Sequence, residues 1–280
     1  MHPLEALLLG VVQGLTEFLP ISSSGHLILV PWLQDYHYLS AHPHFNKTFD
    51  VALHLGTLVA VLGYFRHEII ELIAGAWGVV RKRRAETAPE RLAVVIAVAC
   101  VPAAIVGAAF QDTIDEKLGD PWQIAILLAV FGLLLGFADR LPQRRDMETV
   151  NVRDALKIGA AQAISLAPGV SRSGITITAG RALGLDRDSA ARFSFLLLAP
   201  ITAGAVVVKG AGVAKDGLPA GALGPMIVGI VAAAVTGYLT IAWMLAYVRR
   251  RSYDVFVIYR LAAALVVALV ILTGLRPATF

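Results

Sequence analysis

The chain has 280 residues, of which 57% are hydrophobic and 16% are charged, whereas a soluble domain usually carries about 25% charged residues. The mean hydropathy of +0.71 and the recurring apolar runs exclude an ordinary soluble domain and indicate a multi-pass α-helical membrane protein. The net charge of +4 is weak evidence for nucleic-acid binding, because the basic residues lie in short loops between apolar runs, as in membrane proteins.

The single cysteine, Cys100, lies inside an apolar run. Its isolation excludes a disulfide framework and a cysteine-based metal site. The N-terminus is apolar, but it lacks a basic n-region and carries Glu5 and Glu17. It is therefore not expected to be a cleaved signal.

Six apolar segments are long enough to span a bilayer. In chain order they cover residues 48–65, 91–110, 122–138, 190–208, 225–248 and 254–274. Residues 4–33 and 154–185 are also apolar, but Pro, Gly and Ser interrupt each of them near its middle. Residues 66–88 read as an additional amphipathic segment.

The loops between these spans differ in charge. Clusters of arginine and lysine lie after residue 65, after 138, before 190 and after 248. Because short cytoplasmic loops carry the excess of basic residues, these loops are predicted to be cytoplasmic and both termini to lie outside. Residues 154–185 then begin and end inside, and residues 4–33 begin and end outside. Each is therefore predicted to be a re-entrant hairpin, and the two hairpins to meet within the bundle.

A shift of 149 residues aligns the two interrupted segments. It superimposes Gln13 on Gln162, Ser22 on Ser171, Ser24 on Ser173 and Gly25 on Gly174. Each half, about 1–140 and 150–280, then contains one hairpin and three spans, and the odd number of spans inverts one half relative to the other. The prediction is an all-α polytopic membrane protein whose residues 1–280 form a single integral membrane domain. It has six transmembrane helices plus two re-entrant helical hairpins in an inverted-topology repeat.

The first hairpin contains the sequence QGLTEFLPISSSGH at residues 13–26. Gln13 and Glu17 share one helix face, and a carboxylate at membrane depth is a candidate functional group because it is costly unless paired or wet. Pro20 disfavours continuation of the helix. The hydroxyls of Ser22, Ser23 and Ser24 with Gly25 can cap the following helix, and such a helix start attracts anions. The alternative is that the serines only satisfy a helix break and that His26 is a packing residue.

The second hairpin contains the sequence PGVSRSG at residues 168–174. Arg172 carries a planar fork of donors suited to phosphate oxygens. The candidates to bind the same anion are Gly169, Ser171, Ser173 and Gly174. A structural Arg172 that only pairs with Glu17 is the alternative, and that pairing would itself bring both residues to one site. Asp50 and His54 could line the cavity, while Arg181 and Arg260 are expected to extend towards the membrane edge.

The two motifs together resemble the BacA/UppP family of undecaprenyl-diphosphate phosphatases, which is linked to bacitracin resistance. The resemblance extends over the whole chain in length, span order and both motifs, and it includes the segment TFDVALHLG from Thr48. It implies a hydrolase that releases phosphate from undecaprenyl diphosphate and recycles the lipid carrier for peptidoglycan synthesis. It implies that Glu17, His26 and Arg172 are essential, with Ser23, Ser171 and Ser173 contributing. Ser23 is a further catalytic candidate as a rival nucleophile.

The resemblance also implies a cofactor, Mg²⁺ or Ca²⁺, and Glu17 is expected either to act as a base or to bind this cation. Gln13 occupies the first position of the family's (E/Q)xxxE pattern and cannot act as a base, which argues against a mechanism that needs two carboxylates from this helix. The nucleophile is left open between water, Ser23 and His26. The rival function is an inverted-repeat transporter or flippase for a phosphorylated lipid or another anion.

The predicted location is the bacterial inner membrane, with the active site facing the extracytoplasmic side, because the hairpin of Glu17 enters from that side. The expected partners are undecaprenyl diphosphate and the lipid bilayer, with no nucleic acid. Glycine pairs such as Gly132 and Gly136 permit close helix contacts, so a homodimer is allowed.

Overall fold

The computed structural model describes residues 1–34, 43–216 and 221–279. Eleven α-helices and one 3₁₀ turn at Met147–Thr149 lie in these ranges. In chain order the α-helices are α1 (Pro3–Phe18), α2 (Ser23–Gln34), α3 (Pro43–Tyr64), α4 (Arg66–Lys82), α5 (Ala88–Lys117), α6 (Pro121–Asp139), α7 (Val152–Ile164), α8 (Arg172–Ala182), α9 (Arg187–Asp216), α10 (Leu223–Val248) and α11 (Asp254–Leu272).

The candidate membrane spans agree with the segments predicted from hydropathy. Five described stretches are individually long and apolar enough to cross a bilayer: Ala88–Phe110, Pro121–Asp139, Arg187–Val208, Leu223–Val248 and Asp254–Leu272. The sixth predicted span corresponds to Thr48–Tyr64, which is followed by α4 at an angle of 88°. The prediction of an all-α polytopic membrane protein is therefore confirmed.

Each interrupted segment consists of two short helices joined by a turn. Helix α1 ends at Phe18 and α2 begins at Ser23, while α7 ends at Ile164 and α8 begins at Arg172. The four helices have 16, 12, 13 and 11 residues, fewer than the roughly 20 residues that an α-helix needs to span a bilayer. The lengths agree with re-entrant arms.

Side-chain caps set the start of several helices. Thr87 accepts from the backbone of Glu90 at the start of α5, and Asn151 accepts from the backbone of Asp154 at the start of α7. In both cases the third helical residue returns a bond to the cap backbone, which satisfies two N–H groups that a helix start otherwise leaves free.

Small residues let the hairpin arms pack closely against neighbouring spans. A Cβ at Gly10 of α1 would lie 2.5 Å from the carbonyl oxygen of Gly229 in α10. A Cβ at Gly159 of α7 would lie 2.5 Å from the carbonyl oxygen of Ala99 in α5. Gly10 and Gly159 are related by the 149-residue shift, so the same contact occurs in both halves of the chain.

Gly132 and Gly136 also contact a helix of the same chain. A Cβ at Gly132 would lie 3.2 Å from the Cβ of Arg260, and one at Gly136 would lie 3.3 Å from a methyl group of Val257, both on α11. The glycine pair that permitted a homodimer in the sequence is therefore used to pack α6 against α11.

Arg181 does not extend towards the membrane edge, so that expectation is wrong. Its side chain is fully buried at the end of α8. It donates to the Asp139 carboxylate at 3.3 Å and to the backbone carbonyls of Asp139 at 2.8 Å and Leu141 at 2.9 Å. Arg187 donates to the same carboxylate at 2.7 and 3.0 Å, and the backbone N–H of Tyr253 donates to it at 3.0 Å. This buried cluster ties the second hairpin to α6, α9 and α11.

Candidate active site

The two hairpin turns contact each other inside the bundle, as the sequence predicted. The backbone N–H of Gly169, in the second turn, donates to the hydroxyl of Ser22 in the first turn at 3.1 Å. The hydroxyl of Ser173 donates back to the carbonyl of Leu19 at 3.0 Å. These reciprocal bonds bring the starts of α2 and α8 together, so the N–H groups of two helix starts lie in one region, where they can stabilise an anion.

The two turns share one backbone geometry. Ser22 and Ser171, which the 149-residue shift aligns, have φ angles of 77° and 74°, a conformation that a residue with a Cβ adopts only at a cost. The hydroxyl of Ser22 accepts from the N–H of Gly25 at 3.3 Å, and that of Ser171 accepts from the N–H of Gly174 at 3.0 Å. Ser22, Ser171 and Ser173 are buried, and the hydroxyls of Ser22 and Ser171 cap the helices that follow the turns.

Glu17, at the end of α1, is the centre of the polar cluster between the turns. Only 5% of its surface is exposed. Its Oε1 accepts from Nη2 of Arg172 at 2.9 Å. Its Oε2 accepts from the amide of Gln13 at 3.1 Å and from the hydroxyl of Ser23 at 2.6 Å. The structure therefore joins the carboxylate of the first hairpin to the guanidinium of the second.

Arg172 is held in place from its other side. Its Nη1 donates to the backbone carbonyl of Ser194 in α9 at 3.2 Å. The hydroxyl of Ser194 accepts from Thr176, one turn further along α8, at 2.7 Å. The side chain of Arg172 is 13% exposed, so the guanidinium is anchored at both ends yet reaches an open space.

That space is a cavity of about 220 Å³ beside the Glu17–Arg172 pair. Its polar lining consists of Glu17, Ser23, Ser24, His54, Gln162, Ser165, Arg172 and Thr202. Its apolar lining consists of Val51, Ala103, Leu166, Ile201, Ala205 and Val206. The cavity thus has a charged end, which suits phosphate groups, and an apolar wall, which suits a hydrocarbon chain.

His54 lines this cavity, as its position four residues after Asp50 suggested. Its Nδ1 donates to the carbonyl of Asp50 at 2.7 Å, because a carbonyl can only accept. Its Nε2 lies 3.8 Å from Oε2 of Glu17.

His26 lies on the other side of the first turn and is not among the described residues that line the cavity. Its Nδ1 donates to the carbonyl of Ser22 at 2.7 Å, so its Nε2 is the acceptor for the hydroxyl of Tyr259 at 2.7 Å. The two rings are stacked with centroids 5.6 Å apart. The structure therefore brings Glu17, Ser23 and Arg172 together and places His26 apart from them.

Arg260 is a site-supporting residue that the sequence did not identify. It was expected to extend towards the membrane edge, and that expectation is wrong because the side chain is fully buried. Its guanidinium donates to the carbonyls of Pro20 at 3.1 Å, Gly169 at 3.0 Å, Val170 at 3.1 Å, Leu127 at 3.2 Å and Leu128 at 3.0 Å. The signal available in the sequence was a single arginine within an apolar span that has no evident polar face.

The family described as bacitracin resistance protein BacA matches residues 6–266. The chain belongs to this family. A relative named undecaprenyl-diphosphatase from Pelobacter propionicus is 48% identical over 277 residues, covering 98% of this chain and 99% of the relative. The relative of the same name from Geobacter sulfurreducens is 49% identical over 265 residues, covering 94% and 96% of the two chains. The relative of the same name from Pelotomaculum thermopropionicum is 43% identical over 281 residues, covering 100% of both chains.

The metal that BacA proteins were expected to carry can be compared with the donors present. Residues 1–34, 43–216 and 221–279 contain no group of three or more His, Cys, Asp or Glu side chains placed to hold a metal ion. Mg²⁺, however, is often held by one or two carboxylates together with substrate phosphates. Glu17 supplies one carboxylate, and Oε1 of Gln13 is a buried oxygen without a hydrogen-bond partner among the described residues. These donors fit a hard cation whose remaining ligands come from the substrate and water.

Proposed function

We propose that this BacA-family chain hydrolyses undecaprenyl diphosphate to undecaprenyl phosphate and inorganic phosphate. The observation that carries the proposal is the contact between the hairpins, where the Glu17 carboxylate binds both Arg172 of the second hairpin and the hydroxyl of Ser23. The printed name of the relatives, undecaprenyl-diphosphatase, agrees with a cavity that combines a guanidinium with an apolar wall. A transport function is less favoured, because the site holds a base beside a nucleophile.

The diphosphate is expected to occupy the charged end of the cavity. Arg172 offers a planar fork to phosphate oxygens, and the starts of α2 and α8 add backbone N–H groups and the positive ends of two helix dipoles. The first isoprene units of the lipid would lie against Val51, Ala103 and Val206. Positioning and charge neutralisation of this kind are the main requirements of phosphoryl transfer.

Of the three nucleophiles left open by the sequence, the geometry favours Ser23. Its hydroxyl already donates to Glu17 at 2.6 Å, which is the contact a general base needs. In the proposed first step, Ser23 Oγ bonds to the terminal phosphorus, its proton passes to Glu17, and the bond to the bridging oxygen breaks so that undecaprenyl phosphate leaves. In the second step a water oxygen bonds to the phosphorus of the phosphoserine and the bond from phosphorus to Ser23 Oγ breaks. Glu17 returns the proton to that oxygen, and phosphate leaves with the two protons of the water.

Mg²⁺ or Ca²⁺ is proposed as the cofactor, with Glu17 as its protein carboxylate ligand and with Gln13 within reach. A bound cation would neutralise negative charge on the diphosphate. The residues of the chain perform the other tasks: Arg172 orients the diphosphate, and Ser23 and Glu17 exchange the proton.

The protein is proposed to lie in the bacterial inner membrane as a single integral domain with repeat halves at about 1–140 and 150–280. The matching turns at Ser22 and Ser171, and the matching glycine contacts at Gly10 and Gly159, support the repeat. The basic loops support cytoplasmic ends for the second hairpin. In the inverted repeat the hairpin of Glu17 then enters from the other side, so the active site is proposed to face the extracytoplasmic side. A homodimer stays a prediction.

The first experiment is a measurement of phosphate release from undecaprenyl diphosphate by the purified protein in detergent, with and without EDTA. Glu17→Gln and Arg172→Ala are assayed beside the wild type, and melting temperatures confirm that each variant is folded. Release that needs a divalent cation and is lost in both variants supports the proposal. No release by folded wild-type protein would overturn it and favour transport instead.

A further inference from the structure

Arg260 is fully buried, and backbone carbonyls surround its charge. Each of its three guanidinium nitrogens donates to at least one backbone carbonyl, and no carboxylate in the described part of the chain forms an ion pair with it. A buried charge is costly unless it is paired or fully hydrogen-bonded. The carbonyls therefore stabilise the buried charge of Arg260, as the carboxylate of Asp139 stabilises that of Arg181.

The five carbonyls belong to three separate segments. Pro20 lies in the first hairpin turn, Gly169 and Val170 lie in the second, and Leu127 and Leu128 lie on α6. Pro20 precedes Ser23 by three residues, and Val170 precedes Arg172 by two. One rigid, planar group thus connects the backbone next to the nucleophile with the backbone next to the phosphate-binding arginine.

We propose that Arg260 is the positioning residue that holds the two hairpin turns at one separation and keeps Ser23 and Glu17 opposite Arg172. A lysine at this position would keep the charge but offer three donors from a single nitrogen, which cannot reach three segments at once. The kinetic part of the proposal rests on the proposed phosphatase function, whereas the structural part does not.

The experiment compares Arg260→Ala and Arg260→Lys with Arg181→Ala, a matched control in which an equally buried arginine is lost away from the turns. Amide hydrogen exchange is measured over residues 19–25 and 167–174, together with kcat, KM and melting temperature, with and without added guanidinium. Both Arg260 variants should exchange faster at both turns, while Arg181→Ala should not. Guanidinium should slow exchange in Arg260→Ala alone.

The kinetic expectation is a kcat about 100-fold lower in both Arg260 variants, because a displacement of about 1 Å of a reacting group costs that much. KM should change less, since Arg172 and both helix starts remain, and guanidinium should recover kcat at least about 10-fold in Arg260→Ala. Wild-type kcat in Arg260→Lys, or unchanged exchange at either turn, would overturn the proposal. Absence of phosphate release by the wild type would overturn only the function, because hydrogen exchange still reports on the turns.

Helix α4 does not run along the bundle. It follows the span Thr48–Tyr64 at 88° and returns directly to α5, so both of its ends are joined to spans at the same membrane face. Gly75 packs against α5, where a Cβ would lie 2.7 Å from the carbonyl oxygen of Pro89. The opposite side of α4 carries Ile70, Ile73, Trp77 and Val80, each between 65% and 71% exposed.

Basic residues flank this apolar stripe. Residues 66–84 contain five basic and two acidic side chains. Lys82 pairs with Glu86 and Glu90, and Arg84 pairs with Glu86, whereas Arg81 and Arg83 have no carboxylate partner among the described residues. The basic residues at the C-terminal end of the stripe would repel those of a second copy packed in parallel, whereas they attract anionic lipid headgroups. We infer that α4 lies in the membrane interface, with its stripe against acyl chains and with Arg81 and Arg83 binding anionic lipid headgroups.

The test uses the full chain in vesicles that contain phosphatidylcholine or phosphatidylglycerol brominated on the acyl chain. The signal of Trp77 is the difference in fluorescence between the wild type and Trp77→Phe. Brominated phosphatidylglycerol should quench it more than brominated phosphatidylcholine does. The preference should vanish in Arg81→Gln/Arg83→Gln and persist in Arg250→Gln/Arg251→Gln, a matched pair of exposed arginines on another loop.

Three outcomes would overturn this inference: equal quenching by the two lipids, a preference that survives in Arg81→Gln/Arg83→Gln, and a Trp77 that neither lipid quenches. In the third case, disulfide formation between two copies of Ile73→Cys in a Cys100→Ala background would identify a second copy as the occupant. None of these measurements depends on phosphatase activity.

Discussion

At the scale of single residues, the ion pair between Glu17 and Arg172 can serve to stabilise the fold or to hold the groups of the site in place. A buried pair gains little net stability, because the loss of hydration offsets the attraction between the charges. In this site, however, each member of the pair also forms a second hydrogen bond: Glu17 accepts from the hydroxyl of Ser23, and Arg172 donates to the carbonyl of Ser194. In the proposed mechanism, the pair therefore keeps a base and an anion-binding group close together until a diphosphate competes with Glu17 for the guanidinium.

Arg172→Lys should reduce kcat/KM by about 10- to 100-fold, because one charge-assisted hydrogen bond of about 1.5–3 kcal/mol is lost. A lysine ammonium cannot contact Ser194, Glu17 and a phosphate with fixed geometry. The assay is steady-state phosphate release at several substrate concentrations. Arg192→Lys, at a partly exposed arginine paired with Asp188 and Glu68, is the control and should stay near wild type. Similar kinetics in the two variants would contradict the role of Arg172.

Ser23→Ala should lower kcat on the order of 1,000-fold if the serine is the nucleophile. Ser24→Ala is the matched control, because Ser24 lines the same cavity but its hydroxyl contacts Ser22 at 3.4 Å rather than Glu17. Rapid acid quenching of the wild type with radiolabelled substrate, followed by mass spectrometry, should find phosphate on Ser23. A Ser23→Ala variant that turns over within a few-fold of wild type would leave water as the attacking group.

At the scale of helices, the packing of the hairpin arms depends on two glycines. Gly10→Ala and Gly159→Ala should each destabilise the protein by about 1–3 kcal/mol, because the added Cβ meets backbone carbonyls that cannot turn away. Gly204→Ala is the control: no heavy atom of the described residues lies within 4 Å of a Cβ there, and alanine favours a helix over glycine. Melting temperatures in detergent provide the measurement, and equal values for Gly10→Ala and Gly204→Ala would contradict the close contact.

The sequence predicted elements better than it predicted individual contacts. Span positions follow from hydropathy, and the hairpin breaks follow from Pro20 and from the serine–glycine turns, since both are local signals. The orientation of His26 towards Tyr259, and the burial of Arg181 and Arg260, depend on residues more than 40 positions away in the chain. An arginine near a span end is compatible with the interface and with a buried cluster alike, and only the tertiary partners distinguish the two.

At the scale of the whole molecule, the inverted repeat makes one prediction about the membrane. In the proposed repeat, the first hairpin opens to one face of the membrane and the second hairpin opens to the other. In a Cys100→Ala background, single cysteines at Leu118 and at Arg250 should therefore lie on opposite faces, because α6, α9, α10 and two hairpin arms separate them. Both positions are exposed in the structure, so labelling reports on the face rather than on burial.

With intact spheroplasts and an impermeant maleimide, Leu118→Cys should be labelled at once, and Arg250→Cys only after the membrane is opened, because the basic loop at Arg249, Arg250 and Arg251 favours the cytoplasm. The reverse pattern would keep the repeat but turn the cavity of Glu17 to the cytoplasm, and the lipid product would then be released on that side. Labelling of both cysteines from one side would contradict the repeat itself, since an odd number of spans per half cannot leave these two loops on the same face.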